Sequence, residues 1–138
     1  MTSKLLLGTY TRRESEGVYS IELNTESKKL ENLSLVAEVG SPTYLDTNND
    51  QSIIYAIVKE EEDGGLVSLV RQEDGSYERK TTALVEGDSP CYVFLDDNRQ
   101  LVYTANYGRG KVSVYKTDTG GNLELVDSVT HSGSSVHE

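Results

Sequence analysis

The stretch SPTYLDTNNDQSIIYA, Ser41 to Ala56, returns 48 residues later as SPCYVFLDDNRQLVYT, Ser89 to Thr104. A chain that repeats itself at a fixed period builds one structural unit more than once, and the period selects the architecture. From Ser41 to Tyr55 and from Ser89 to Tyr103 the copies align without a gap. Ser-Pro-x-Tyr is identical in both, and Ile53-Ile54-Tyr55 matches Leu101-Val102-Tyr103. The polar centres, Asn48-Asn49-Asp50 and Asp96-Asp97-Asn98, are turn formers. The match runs on more loosely: Gly65 to Leu69 parallels Gly110 to Val114, and Gly75 to Glu78 parallels Gly121 to Glu124. A third, partial copy opens the chain. Leu5 to Tyr10 lines up with Val102 to Tyr107, and Gly17 to Ile21 with Gly110 to Val114. This copy lacks the Ser-Pro-x-Tyr segment.

Each full copy reads as four strands. The first covers Tyr44 to Thr47 or Tyr92 to Leu95. The second, Ile53 to Val58 or Leu101 to Asn106, is apolar on both faces, as a strand between two layers must be. The third, Leu66 to Arg71 or Lys111 to Lys116, alternates. The fourth, Tyr77 to Leu84 or Leu123 to Thr130, is the most polar and suits an outer edge. Asn/Asp and Gly turns separate them, and no stretch has helical periodicity. Four strands per 48 residues is an all-β pattern and fits a β-propeller blade, whose repeats run to about 40–50 residues. A β-helix needs shorter rungs, and an immunoglobulin-type sandwich has no internal repeat. The reading divides the chain into residues 1–40 (a blade without its innermost strand), 41–86 and 87–130 (two whole blades) and 131–138 (a connection toward a next blade). Rings close with about 4–8 blades, so about three blades imply part of a larger ring. The missing first strand suits a ring that closes by borrowing a strand from its C-terminal end.

Antiparallel strands put their loops on two opposite faces. The first-to-second and third-to-fourth turns share one face. On the other lie the blade junctions and the second-to-third loops: Tyr10–Gly17, Lys59–Gly65 and Asn106–Gly110. These loops are longer and more charged, and they surround the mouth of the central channel, where a rigid scaffold carries function. Ser-Pro-x-Tyr most simply launches each innermost strand, with Tyr44 and Tyr92 packing on the next blade; the alternative points their hydroxyls at a ligand. Arg12, Arg13 and Arg109 are solvated surface cations or binders of an anionic substrate. Lys59 to Asp63 reads as a solvated charge run. His131 lies in a Gly/Ser-rich tail and is a weak candidate for a general base.

Charge and cysteine usage remove other classes. Thirteen basic against 23 acidic residues leave a net charge of −10, and the basic residues are scattered, so a nucleic-acid partner is not expected. The single cysteine, Cys91, reads as a small buried thiol, and no Cys/His cluster suggests a metal. The three leucines before Gly8 are too short for a signal peptide core or a membrane span. A cytoplasmic protein without membrane contact is expected. Nine tyrosines, one Phe and no Trp suit half-wet positions.

Taken together, LLLGTYTRRESEGVYSIEL, SPTYL, QLVYTANYGRGKVSVYK and VTHSG resemble the lactonase family of seven-bladed propellers, the bacterial 6-phosphogluconolactonase group. The resemblance covers essentially the whole chain. It implies a seven-bladed ring and hydrolysis of a sugar-phosphate lactone, 6-phosphogluconolactone, in the pentose phosphate pathway, with no cofactor. It also implies kinship with propellers that make or open muconolactones; a lactonising isomerase and a non-enzymatic propeller that binds a protein partner are the alternatives. It places Tyr10, Asn106, Tyr107 and His131 on the site face. The catalytic set itself is expected to lie mainly in later blades, so this chain alone is expected to be inactive and to self-associate through its open blade faces.

Overall fold

A computed structural model describes residues 2–108 and 110–130. Eleven strands form three antiparallel meanders. The first sheet holds β1 (Thr2–Leu7), β2 (Gly17–Asn24) and β3 (Lys29–Glu38). The second holds β4 (Leu45–Thr47), β5 (Ile53–Glu60), β6 (Asp63–Arg71) and β7 (Tyr77–Val85). The third holds β8 (Tyr92–Asp96), β9 (Leu101–Asn106), β10 (Lys111–Thr117) and β11 (Leu123–Thr130). Each sheet is ordered as its sequence runs, so every connection is a hairpin. The all-β, propeller-blade reading holds, and the first sheet is the three-stranded one.

Alternation along β5 explains the stacking. Ile54, Ala56 and Val58 enter a cluster with Val18, Val36 and Ala37 of the first sheet. Ile53, Tyr55 and Ile57 enter a second cluster with Val93, Leu95, Val102 and Tyr115 of the third. Successive strand residues point to opposite faces, so a strand with a neighbour on both sides must be apolar throughout. All six residues from Ile53 to Val58 are buried. Outer strands β3, β7 and β11 are mostly exposed, apart from Val36, Ala37 and Tyr77, which reach the first cluster. Register shifts in their pairings add local twist.

Polar ties reinforce the stack. Asp46 Oδ2 accepts from the Leu95 amide at 2.9 Å, joining two inner strands. The Tyr55 hydroxyl meets Thr117 Oγ1 at 2.8 Å in the buried seam. Ser20, Ser68 and Ser113 hold one repeat position, and all three are buried. Each bonds to the outer strand of its own sheet, to Ser34, Thr81 and Ser128 respectively.

The Tyr115 phenol, 2 % exposed, is pushed up to about 12 from an ordinary 10.0, first by burial and then by the nearby negative charge of Asp88. A raised folded value means the unfolded chain loses this proton first. The stabilisation is whole below pH 10.0 and is lost as pH rises toward about 12. The loss attributable to Tyr115 is about 2–3 kcal/mol at full ionisation. Urea melts across this range are expected to show a shallower alkaline decline for Tyr115→Phe; an unchanged slope would remove Tyr115 as its source.

Candidate functional site

The connection from β1 to β2 spans residues 8–16 and is fixed by its own hydroxyls. Ser41 Oγ accepts from the Thr11 amide at 3.2 Å, and Thr11 Oγ1 accepts from the Ser41 amide at 3.0 Å. The two hydroxyls also lie 3.2 Å apart. Gly8 lets the loop meet this junction closely, since a Cβ there would overlap the Pro42 carbonyl oxygen. The loop and the first junction are thus one rigid piece. It sets Tyr10, 62 % exposed, beneath Arg12, whose guanidinium carbon lies 5.0 Å from the ring centroid, a cation–π contact.

The end of β5 forms the next wall. The Lys59 amide donates to Gly40 O at 2.8 Å. A Cβ on Gly40 would overlap the Lys59 carbonyl oxygen, so only glycine permits this approach. Here the structure corrects the sequence reading. Lys59–Gly65 is not a long mouth loop: β5 and β6 stay paired through Glu60 and Asp63, leaving a two-residue turn, Glu61-Glu62. Lys59 is a strand residue on a cavity wall. Glu60, next to it and therefore on the opposite side of the strand, pairs with Arg79 at 2.7 Å.

The third wall is the junction into β8. Buried Asp88, 3 % exposed, pairs with Lys111 at 2.9 Å. Ser89, Pro90 and Cys91 follow, with the Cys91 amide bonded to Ala105 O at 2.9 Å. Cys91 is half-buried rather than buried, and it lines the cavity.

These walls enclose about 320 Å³, reaching from Arg12 and Tyr10 across Ser41 and Thr43 to Lys59 and Ser89. Among the described residues the lining contains two cations and no carboxylate, although the chain carries a net charge of −10. The acids of the repeated turns lie at the other end of the strands. Hydrogen bonds from Ser52, from Ser76 and from Asn122 hold the Asp50, Asp74 and Asp118 carboxyls below the usual range, and for Asp96 the donor is Arg99. The Asn48–Asp50 segment is likewise closed on itself, with the Ile53 amide bonded to Asn48 Oδ1 and the Ser52 amide to Asp50 Oδ1.

Of the sequence candidates, Tyr10 and Arg12 line this cavity. Arg13 is exposed on the same loop. Tyr44 and Tyr92 lie against each other, ring centroids 4.8 Å apart and tilted by 34°. Asn106 is 4 % exposed on the face of β9 that carries Val102. Its Nδ2 is buried without a hydrogen-bond partner. Tyr107, 49 % exposed, stands on the β9–β10 turn. Arg109 and His131 lie outside the described residues. Sequence reading put the Ser41 and Ser89 junctions and the Lys59 segment at the mouth but singled out neither serine, nor Thr43, nor Lys59 as a cavity wall.

Among the described residues no group of three or more His, Cys, Asp or Glu could hold a metal ion. No helix there is long and apolar enough to cross a membrane.

The sequence is 41 % identical over 134 residues to the 6-phosphogluconolactonase of Bacillus subtilis, covering 96 % of this chain and 38 % of that protein. The crystal structure of a Lactobacillus plantarum protein superposes with a TM-score of 0.89 at 38 % identity, over 96 % of this chain and 38 % of that one. The periplasmic gluconolactonase PpgL of Pseudomonas aeruginosa shares the fold, with a TM-score of 0.80 at 24 % identity over 95 % of this chain and 39 % of that one. The chain thus spans little more than a third of the proteins it matches. The family model described as "Lactonase, 7-bladed beta-propeller" matches residues 4–138, and the chain belongs to that family.

Proposed function

We propose that these blades belong to a cytoplasmic lactone hydrolase of sugar-phosphate metabolism, with 6-phosphogluconolactone as its substrate in the pentose phosphate pathway. The observation that carries this reading is the acid-free cavity with Arg12 and Lys59 on its walls, in a chain of the lactonase family. The reaction adds water to the lactone carbonyl carbon and breaks the ring C–O bond, the ring oxygen leaving with a proton as a hydroxyl. It needs a base for the water, donors for the carbonyl oxygen as it becomes anionic, and cations for the phosphate. The cavity supplies cations, together with hydroxyls of Tyr10, Ser41, Thr43 and Ser89. Among the described residues its lining contains no His, Asp or Glu, and the reading assigns the base to later blades.

The test follows loss of 6-phosphogluconolactone with purified full-length protein against spontaneous hydrolysis. Acceleration is expected, and Arg12→Gln is expected to lower kcat/KM about tenfold, as loss of a charge-assisted bond would. No acceleration overturns the proposal; turnover of muconates instead would assign a lactonising isomerase.

A further inference from the structure

Resting on that lactonase reading, we infer that Lys59 is a specificity-determining residue: with Arg12 it forms the subsite for the anionic substituent of the substrate. The subsite sets the preference for a phosphorylated over a neutral sugar lactone. Three observations converge on it. First, both cations stand on fixed backbone. Arg12 follows Thr11, which is tied reciprocally to Ser41. Lys59 is the penultimate residue of β5 and is bonded through its amide to Gly40.

Second, the acids beside Lys59 in sequence do not neutralise the cavity. Glu60 lies on the other side of the strand and is committed to Arg79. Glu61 and Glu62 form the exposed turn. None of these carboxylates, nor Asp63, is among the lining residues. Strand alternation and the tight turn together separate one lysine from the four acids that follow it in sequence.

Third, the space suits the group. A phosphate monoester has three equivalent oxygens and close to two charges at neutral pH. Arg12 and Lys59 match the charge, and Ser41, Thr43 and Ser89 offer hydroxyls along the same wall. The lysine is a point charge that follows a rotating phosphate, and the arginine is a fork that fixes it. A neutral sugar lactone gains little from either.

The experiment compares kcat/KM of full-length protein for 6-phosphogluconolactone and unphosphorylated gluconolactone. It uses wild type, Lys59→Met, Lys59→Arg and Lys80→Met, the last removing an exposed charge on the outer strand β7. Lys59→Met is expected to lose about 10–100-fold on the phosphorylated lactone, chiefly through KM, as a lost charge-assisted bond predicts. The neutral lactone and Lys80→Met are expected to stay within a factor of about 2, as for an exposed charge. Lys59→Arg restores part of the preference. Equal losses on both lactones, or no loss, overturn the inference. A wild type that turns over neither lactone defeats the lactonase reading, and the subsite is then judged separately by inorganic phosphate. Thermal stabilisation by phosphate that disappears in Lys59→Met supports it; none in wild type overturns it.

Discussion

Asp88→Ala is expected to cost about 3–5 kcal/mol of stability and to lower lactone turnover together with it. The carboxylate is 3 % exposed and meets the Lys111 ammonium at 2.9 Å in the seam between the second and third sheets, where the Lys111 side chain is itself only 14 % exposed. Removing one member of a buried pair leaves the other charge without the group that offset its lost hydration. The pair as a whole is worth far less than that figure suggests. Its attraction must first repay the desolvation of two ions, so an apolar pair of similar volume can match it. The double substitution Asp88→Leu with Lys111→Met is therefore expected to recover most of the stability lost in Asp88→Ala. Urea denaturation of the full-length protein measures both. A single variant as stable as wild type would show that the pair is not buried in solution. A double variant as unstable as the single one would locate the cost in contacts of the Asp88 side chain other than Lys111. Turnover falls because the next three residues, Ser89 to Cys91, are a wall of the cavity. They hang from the same turn, whose Asp88 amide is bonded to Val85 O at 3.1 Å.

The same seam shows what the sequence could and could not say. The repeat located the strands because each blade needs the same pattern: a short inner strand, a strand buried on both faces, and a polar outer edge. Ile53 to Val58 is legible since both faces of β5 meet apolar neighbours. The end of β5 is not. Lys59 to Gly65 reads as a loop because charge runs and paired glycines usually mark one. The pairing nevertheless continues, since the strands project past the blade's core and their charged residues cost nothing there. Gly64 and Gly65 are strand residues; a Cβ on either would overlap a carbonyl oxygen, of Asp88 or of Ala83. Lys59 escaped notice for the same reason: a charge in a charged run reveals its direction only once the register is known. The repeated serines at 20, 68 and 113 were in the alignment, but only their burial shows that they tie third strands to fourth. Asn106 shows a different limit. The motif put it toward the site face, and its strand parity adds what the motif could not: the side chain is buried on the face of β9 that carries Val102, with Nδ2 unpaired.

Residues 1–138 produced alone are expected to show no lactone turnover above the spontaneous rate and to assemble head to tail. The expected loss of activity follows from a cavity lining that, among the described residues, holds no His, Asp or Glu to activate water. The assembly follows from what the two outermost sheets leave uncovered. On the third sheet, Tyr92, Phe94, Tyr103, Ala105 and Val112 line an apolar groove of about 530 Å³, with Phe94 47 % exposed and stacked on Tyr103 at 6.2 Å. On the first, Leu5 and Leu7 of β1 are 42 % and 38 % exposed. Both inner seams of this chain are made by joining faces of this kind, so the first sheet of one copy is a chemical match for the third sheet of another. The two faces differ, which makes the contact heterologous. Such contacts close into rings when the rotation allows and otherwise continue as open chains. A symmetric dimer is therefore not the expected product. Sedimentation should give species at multiples of 15.2 kDa that grow with concentration. Phe94→Asp places a charge in the groove and is expected to shift the population toward the single chain by tenfold or more, since an unpaired buried charge costs at least about 2 kcal/mol. The full-length protein, in which the family's ring supplies the next blade, should not form these species. A single 15.2 kDa component at all concentrations would mean that the exposed rings and leucines are accommodated within one copy, and the head-to-tail contact would be withdrawn.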